Sequence, residues 1–431
     1  MKNRREFLST SGRVAGSIVL ASGIKLARAM QAAQKLTASS PEAAARDEVF
    51  WSTYRSAFSP DPGHRWFNNL AFNPTPASAH ESFLSKERGW NAWPLAHAGE
   101  VFGSKKKEAL RARLASLVNA SPDEIALTRN TTEGICNVIF GLDLAKGDEI
   151  VITTQDYGTF LNAWAQRERR DGIKVRSIAL PVPAKRLGDL VEPFRQAITS
   201  RTKVVMFSHL SDPVGQIFPV RAVVDLAHKA GACVIADGAL TFGCMPVDVK
   251  AMDCDFYATS LHKGVFAPTG TGFLYVKRER IRSVWPLYGA PDTEADDIRK
   301  FEHRGTTPVT AFAAVNDALD LHQTIGFENM AARYRHLKRL WADRLVSHSR
   351  CRFNVSLEPE HSCGIATVVI DGATPAKLYE YLYTKRQIST WPIRDSEFAG
   401  LWVSPYPFTT PAELDALASA LMEVADRGLP S

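Results

Sequence analysis

The stretch Tyr257-Ala-Thr-Ser-Leu-His-Lys-Gly264 ends a short β-prone run with Ser260, His262 and Lys263 inside four positions. The chain then resumes as VFAPTGTGFLYV, residues 265–276. A lysine between two apolar, strand-like segments is ordinarily a polar turn residue. What surrounds it in the sequence argues for a chemical role instead.

Working outward, short β-branched runs recur on both sides of this stretch: EIALT (124–128), DEIVIT (148–153), KVRSIAL (174–180), KVVMFSHL (203–210), ACVIADG (232–238), CDFYATS (254–260) and GFLYVK (272–277). Helix-like stretches at 133–142, 159–171, 190–199 and 220–230 separate many of them. The alternation predicts an α/β domain with a mainly parallel, seven-stranded sheet. Its last two strands have no helix between them and are expected to pair as neighbours. After about residue 310 a helix-rich region (309–348) leads to GIATVVI (364–370), a helix at 375–384, WVS (402–404) and a final helix from Pro411, the pattern of a smaller C-terminal α/β domain. The expected organisation is a leader up to residue 47, an N-terminal segment with the large domain over 48–308, and the small domain over 309–431.

In open parallel sheets, ligands bind beyond the carboxyl ends of the strands. There the sequence places Asn130-Thr131-Thr132-Glu133, then Asp156-Tyr157, then Asp212, then Asp237, then Ser260, His262 and Lys263. Each residue alone is weak evidence; in this order they describe one site.

The chemistry that fits is pyridoxal 5′-phosphate. A phosphate needs oriented N–H donors, and a helix N-terminus supplies them. Asn130 can cap such a helix, Glu133 stands at the capping-box position, and Thr131 and Thr132 offer hydroxyls, though a plain helix cap has the same form. Ser260 and His262 complete the cradle. The pyridine nitrogen needs a buried carboxylate to keep its proton, and Asp237, ending an apolar strand, suits that role better than a turn. Tyr157 can cover the ring face, or pack as an ordinary loop tyrosine. Lys263 can bond the aldehyde, yield it to a substrate amine, and then act as general base at the adjacent carbon.

Composition limits the alternatives. The chain has 431 residues, 45% hydrophobic and 23% charged, enough for two or three domains with a large core. The net charge of +6 is spread over short clusters. The longest basic run, Lys105-Lys106-Lys107, precedes a helix-like pattern and reads as a solvated face, so nucleic acid is not an expected partner. The first thirty residues carry Arg4-Arg5, a mildly apolar run and Ala27-Arg28-Ala29, the pattern of a twin-arginine export signal cut after about Ala29; an uncleaved amphipathic anchor is the competing reading. Residues 30–47 read as a flexible leader. No later segment approaches the ~20 unbroken apolar residues of a membrane span. The expectation is a periplasmic protein that meets the twin-arginine translocase during export. The six cysteines lack C-x-x-C spacing, so a metal site is not expected, and mostly free, buried thiols are. A hydrolase built on Ser208 and His209 lacks a G-x-S-x-G elbow, and adjacent strand residues face opposite ways.

These residues resemble the class V aminotransferase family of fold type I pyridoxal-phosphate enzymes, in its isopenicillin-N-epimerase-like branch. The markers run from about Phe67 to the C-terminus: FNNLAFNPTP, TRNTTEG, TTQDYGTFLNAW, SHLSDPVGQIFPV, VIADGALTFG, ATSLHKG and HRGTTPVTA. An exported group in that neighbourhood tailors pyoverdine siderophores. The resemblance implies that Lys263 carries the cofactor, Asp237 pairs with the ring nitrogen and Tyr157 stacks. It places Thr131, Thr132, Ser260 and His262 at the phosphate and Asp212 among the cofactor contacts. It also sends Thr306 to the phosphate of a neighbouring subunit, implying a homodimer. Three positions depart from the family pattern: Leu240 where His or Gln is frequent, Asp212 where Asn is frequent, and Trp402 where an arginine holds the substrate carboxylate. Either another arginine substitutes, such as Arg394, or the substrate is not a simple free α-amino acid but a modified peptide, siderophore or large amine with Trp402 as a stacking surface. Transamination, epimerisation and related tailoring chemistry stay open. The competing reading is a protein that keeps the fold without turnover, for which Leu240 and Trp402 speak.

Overall fold

The computed structural model describes residue 31 and residues 40–97, 104–395 and 397–430. The expected export signal and most of the leader lie outside the described residues.

The large sheet is built from β2 (Ile125–Thr128), β3 (Glu149–Thr153), β4 (Lys174–Ile178), β5 (Thr202–Ser208), β6 (Cys233–Asp237), β7 (Phe256–Ser260) and β8 (Gly272–Val276); β1 (Arg65–Trp66) belongs elsewhere. The order is β2–β8–β7–β6–β5–β3–β4. Only β8 runs against the others, pairing with β7 and β2 as the missing crossover helix requires. Strands β6 and β7 are buried at every position because helices cover both faces. Val204 and Met206 face helices Thr131–Gly141 and Gly158–Asp171, whereas Val205 and Phe207 face helices Leu187–Ala197 and Val220–Lys229. The parallel strands therefore end together on one rim, where their following residues meet.

The smaller unit is an antiparallel sheet, β12–β13–β10–β9, of β9 (Cys351–Phe353), β10 (Ala366–Ile370), β12 (Trp391–Ile393) and β13 (Gly400–Val403). Helices Phe327–Ala342, Pro375–Arg386 and Pro411–Arg427 back it. Two expected boundaries move. Helix Val315–Ile325 places Val315, Ala318 and Leu319 in the core of the large sheet. Conversely, the N-terminal segment joins the small unit: β1 pairs in parallel with β11 (Ile388–Ser389), and Asn69 donates from its backbone to the Ser404 carbonyl.

The leader expectation fails over its last residues. Pro41–Ala45 is a helix capped by Ser40, and Ala44 and Ala45 are buried. Their small side chains allow close approach, and the buried Arg333 guanidinium donates to the Ala45 carbonyl at 2.8 Å and pairs with Glu48. The Ala45 carbonyl and the Arg333 charge each satisfy the other, which pins the segment. Among the described residues, no helix is long and apolar enough to cross a membrane. All six cysteines are free, five of them buried and Cys136 half-buried.

Candidate active site

Lys263 leaves β7 on a tight loop that the surrounding backbone fixes. The Leu261 N–H donates to the Thr271 carbonyl, the Ala267 N–H to the Leu261 carbonyl, and the Phe266 N–H to the Lys263 carbonyl. Asn73, from the N-terminal segment, donates to the Lys263 carbonyl at 2.5 Å. Behind the lysine, Gly243 (φ 91°) lies flat against Gly264: a Cβ on Gly243 would stand 2.3 Å from the Gly264 carbonyl carbon, and one on Gly264 2.3 Å from the Phe242 oxygen. Only glycine fits both places.

Across from Lys263, Asp237 ends β6. One carboxylate oxygen accepts from the Ala239 N–H at 2.8 Å. Burial pushes this carboxyl up to about 6, while the Ala239 N–H and the Lys263 charge oppose the rise and Asp212 adds to it. Asp237 and Lys263 thus face one space rather than opposite sides of the sheet.

The helix Thr131–Gly141 points its N-terminus into that space. Asn130 Oδ1 accepts from the Glu133 N–H at 2.8 Å, as a cap should. The Glu133 carboxylate, however, accepts from the Arg129 backbone N–H rather than closing the box on Asn130. The Thr131 N–H donates to Ser260 Oγ at 2.9 Å, and the two hydroxyls meet at 2.8 Å, tying the helix start to the end of β7. His262 Nδ1 lies 3.3 Å from the Thr271 carbonyl, and burial and the Lys263 charge both hold this imidazole below its ordinary range.

These groups enclose a cavity of about 480 Å³. Thr131, Thr132, Tyr157, Asp212, Asp237, Ser260, His262, Lys263 and Trp402 all line it. Asp212 opens its side chain to the cavity while the surrounding protein crowds it; burial raises its carboxyl and the Lys263 charge lowers it. Trp402, expected as a stacking surface, does line the cavity but offers it little area. It is buried at 2% exposure, with Nε1 donating to the Asp212 carbonyl at 2.7 Å, so it braces the Asp212 loop. Arg394 is exposed past the end of β12 and does not line the cavity, so the expected substitute clamp is absent from this chain's site. Thr306 is exposed on the loop before Thr310 and does not reach its own chain's cavity either.

Three contributors had no sequence-level role. Asp156 accepts from the Thr153 N–H and the Ser208 N–H, each at 2.8 Å, and burial pushes it up to about 7, with the Asp237 charge adding. Ser208 Oγ points to this carboxylate, while the His209 imidazole lies against Tyr257, so no Ser–His nucleophile exists here. Phe72 and Trp391, from the N-terminal segment and the small sheet, complete the cavity wall.

Residues 80–390 match the model of the family described as aminotransferase class-V. The chain belongs to that family. It is 30% identical over 335 residues to a cysteine desulfurase of Synechococcus elongatus, an alignment covering 74% of this chain and 52% of that protein. It is 28% identical to an isopenicillin N epimerase of Amycolatopsis lactamdurans, covering 87% and 98% of the two chains. Among solved structures, it superposes with a TM-score of 0.75 on a C-DES mutant carrying glycine covalently linked to its PLP cofactor, at 21% identity and 85% and 98% coverage. It superposes equally well on the cysteine desulfurase CsdA of Escherichia coli, at 22% identity and 87% and 98% coverage. The fold is fold type I, and this class-V enzyme uses pyridoxal 5′-phosphate. The residues present fit that group. A capped helix start with a free Thr132 can receive the phosphate, a buried carboxylate faces the cavity for the ring nitrogen, and a lysine stands opposite it.

Proposed function

We propose that this class-V enzyme is exported and acts on an amine or amino-acid-bearing substrate, with Lys263 as the covalent anchor of the cofactor. The observation that carries this reading is that Lys263 and Asp237 line one cavity together with the N-terminus of helix Thr131–Gly141. When bound, pyridoxal phosphate withdraws electrons from the carbon bearing the substrate amine. Asp237 would face the ring nitrogen and favour its protonated form, Thr132, Ser260 and His262 would serve the phosphate, and Tyr157 would cover the ring. The Lys263 amine would stand where it can take and return a proton at that carbon. This suits transamination, epimerisation or related tailoring chemistry, and the family resemblance is what suggests a siderophore or peptide as the substrate.

Desulfuration is not favoured. That chemistry hands sulfur to an accessible enzyme thiol, yet residues 364–431 hold no cysteine and Cys363 is buried at 1% exposure, its thiol directed at the Cys244 and Ala331 carbonyls. Arg4-Arg5 and Ala27-Arg28-Ala29 support export to the periplasm. The exposed loop holding Thr306 supports a homodimer in which it serves the partner's phosphate. The test is hydrogen exchange. Holoenzyme incubated with primary amines in heavy water should incorporate deuterium next to the amine, and Lys263→Ala should not. A coloured protein that exchanges no amine would instead fit a fold retained without turnover.

A further inference from the structure

Two large aromatic side chains at the mouth of the cavity are left in solvent: Phe72 is 64% exposed and Trp391 47%. Their ring centroids are 6.0 Å apart at an interplanar angle of 54°. Tyr157, also 47% exposed, lines the same cavity. Singly exposed aromatics such as Trp93 and Trp285 need no explanation, whereas a touching pair at the mouth of a cavity is a candidate binding surface.

Phe72 is held out deliberately. Its loop carries Leu70 at φ 71°, a left-handed conformation costly for a branched side chain. The Leu70 N–H donates to both Asn69 Oδ1 and Asn73 Oδ1, Asn73 reaches on to the Lys263 carbonyl, and the Tyr406 hydroxyl donates to the Phe72 carbonyl at 2.5 Å. The strain persists because these bonds over-determine the loop. Trp391 sits on edge strand β12, in register with the buried Trp402. Both rings therefore stand on rigid supports, one tied to the lysine loop itself.

The charges around the cavity point the same way. Among the described lining residues, Lys263 is the basic side chain besides His262, whose imidazole is held below its ordinary range by burial and the Lys263 charge. Among the described residues no guanidinium lines the cavity, and Asp212 presents a carboxyl to it. A free substrate carboxylate finds no bidentate partner among those lining residues.

We propose that Phe72 and Trp391 form a paired aromatic platform that selects a primary amine carried on a flat aromatic body, with no free carboxylate beside the amine. This rests on the reading of Lys263 as the cofactor-bearing residue. The aromatic body packs against the exposed faces of the two touching rings while its amine reaches inward to Lys263, and the rings' pre-set position lowers the ordering cost of binding.

The test is calorimetric titration of the holoenzyme with phenethylamine, ethylamine and L-phenylalanine, after the visible band and a borohydride-stable adduct have been checked. The expected result is phenethylamine binding at least about tenfold more tightly than ethylamine and no more weakly than L-phenylalanine. Phe72→Ala and Trp391→Ala should each weaken phenethylamine about tenfold with ethylamine unchanged, and Trp391→Phe should restore most of the loss. Equal binding of the two amines overturns the proposal, as does tenfold tighter binding of L-phenylalanine. Unaltered phenethylamine binding in both alanine variants, with visible bands intact, overturns it as well. A colourless protein with no adduct overturns the cofactor reading and this proposal together, whereas a coloured one that fails the selectivity test overturns this proposal alone.

Discussion

Asp156 lies directly behind Asp237: its Oδ1 accepts from the backbone N–H of Ser208, the residue paired in register with Asp237 across β5 and β6. Two buried carboxyls thus share the rim of the sheet. Burial alone would raise both; Asp237 reaches about 6, and its charge then helps hold Asp156 up at about 7. Both carboxyls are therefore held above the ordinary carboxylate range by burial, and the charge of Asp237 adds to the rise at Asp156.

These raised carboxyls give the apoprotein a pH-dependent stability. A carboxyl whose folded value lies above its unfolded one stabilises the fold fully below about pH 4 and loses this contribution as pH rises through its folded value. For Asp156 the window runs from about 4 to about 7. Thermal melts of the apoprotein should therefore fall between pH 5 and pH 8. Asp156→Asn should start lower, by about 1 kcal/mol for one poorly replaced backbone bond, and decline less steeply. An unchanged slope would remove Asp156 from the account.

Cofactor affinity should follow the ionisation of Asp237. As pH falls through about 6, the carboxyl gains a proton and ceases to favour the charged ring, so the dissociation constant should rise. Asp237→Asn should weaken binding at pH 7.5 by roughly 10- to 150-fold, matching the ~1.5–3 kcal/mol of a charged hydrogen bond. It should also flatten the part of the pH dependence that this carboxyl causes. Equilibrium dialysis at several pH values measures both.

Ser260 makes a separable prediction. Its hydroxyl receives the Thr131 N–H and lines the cavity beside the helix start proposed to take the phosphate. Ser260→Ala should weaken pyridoxal phosphate by about tenfold and leave pyridoxal, which lacks the phosphate, nearly unaffected. Equal weakening of both would place Ser260 in folding rather than in phosphate binding.

The Gly243–Gly264 contact sets where Lys263 stands. Gly243→Ala adds a Cβ 2.3 Å from backbone at a left-handed position, so one loop must move. The expected cost is about 1–3 kcal/mol of stability together with reduced cofactor loading. Calorimetry and the visible band report the two effects.

The large sheet was legible because its strands are local: unbroken apolar runs such as Cys233–Asp237 are buried on both faces and need no partner to be recognised. The polar residues at their ends followed from the same reading, since a parallel sheet brings those ends to one rim. What stayed hidden depends on distance in sequence. Phe72 meets Trp391 only because β1 pairs with β11, two residues each, and β12 contains Pro392, which suppresses its strand pattern. The docking of Ala44 and Ala45 depends on Arg333, far along the chain. Trp402 looked like a substrate surface because nothing in its neighbourhood announces the Asp212 carbonyl that its indole holds. Arg394 falls past the end of a short edge strand, where one more or fewer residue decides between cavity and solvent.

The most direct test of the central claim is peptide mapping after borohydride reduction of the purified protein. The account predicts a phosphopyridoxyl mass on the peptide containing Lys263, and none in Lys263→Ala. A mass on a different lysine, or no adduct in a folded protein supplied with pyridoxal phosphate, would contradict it.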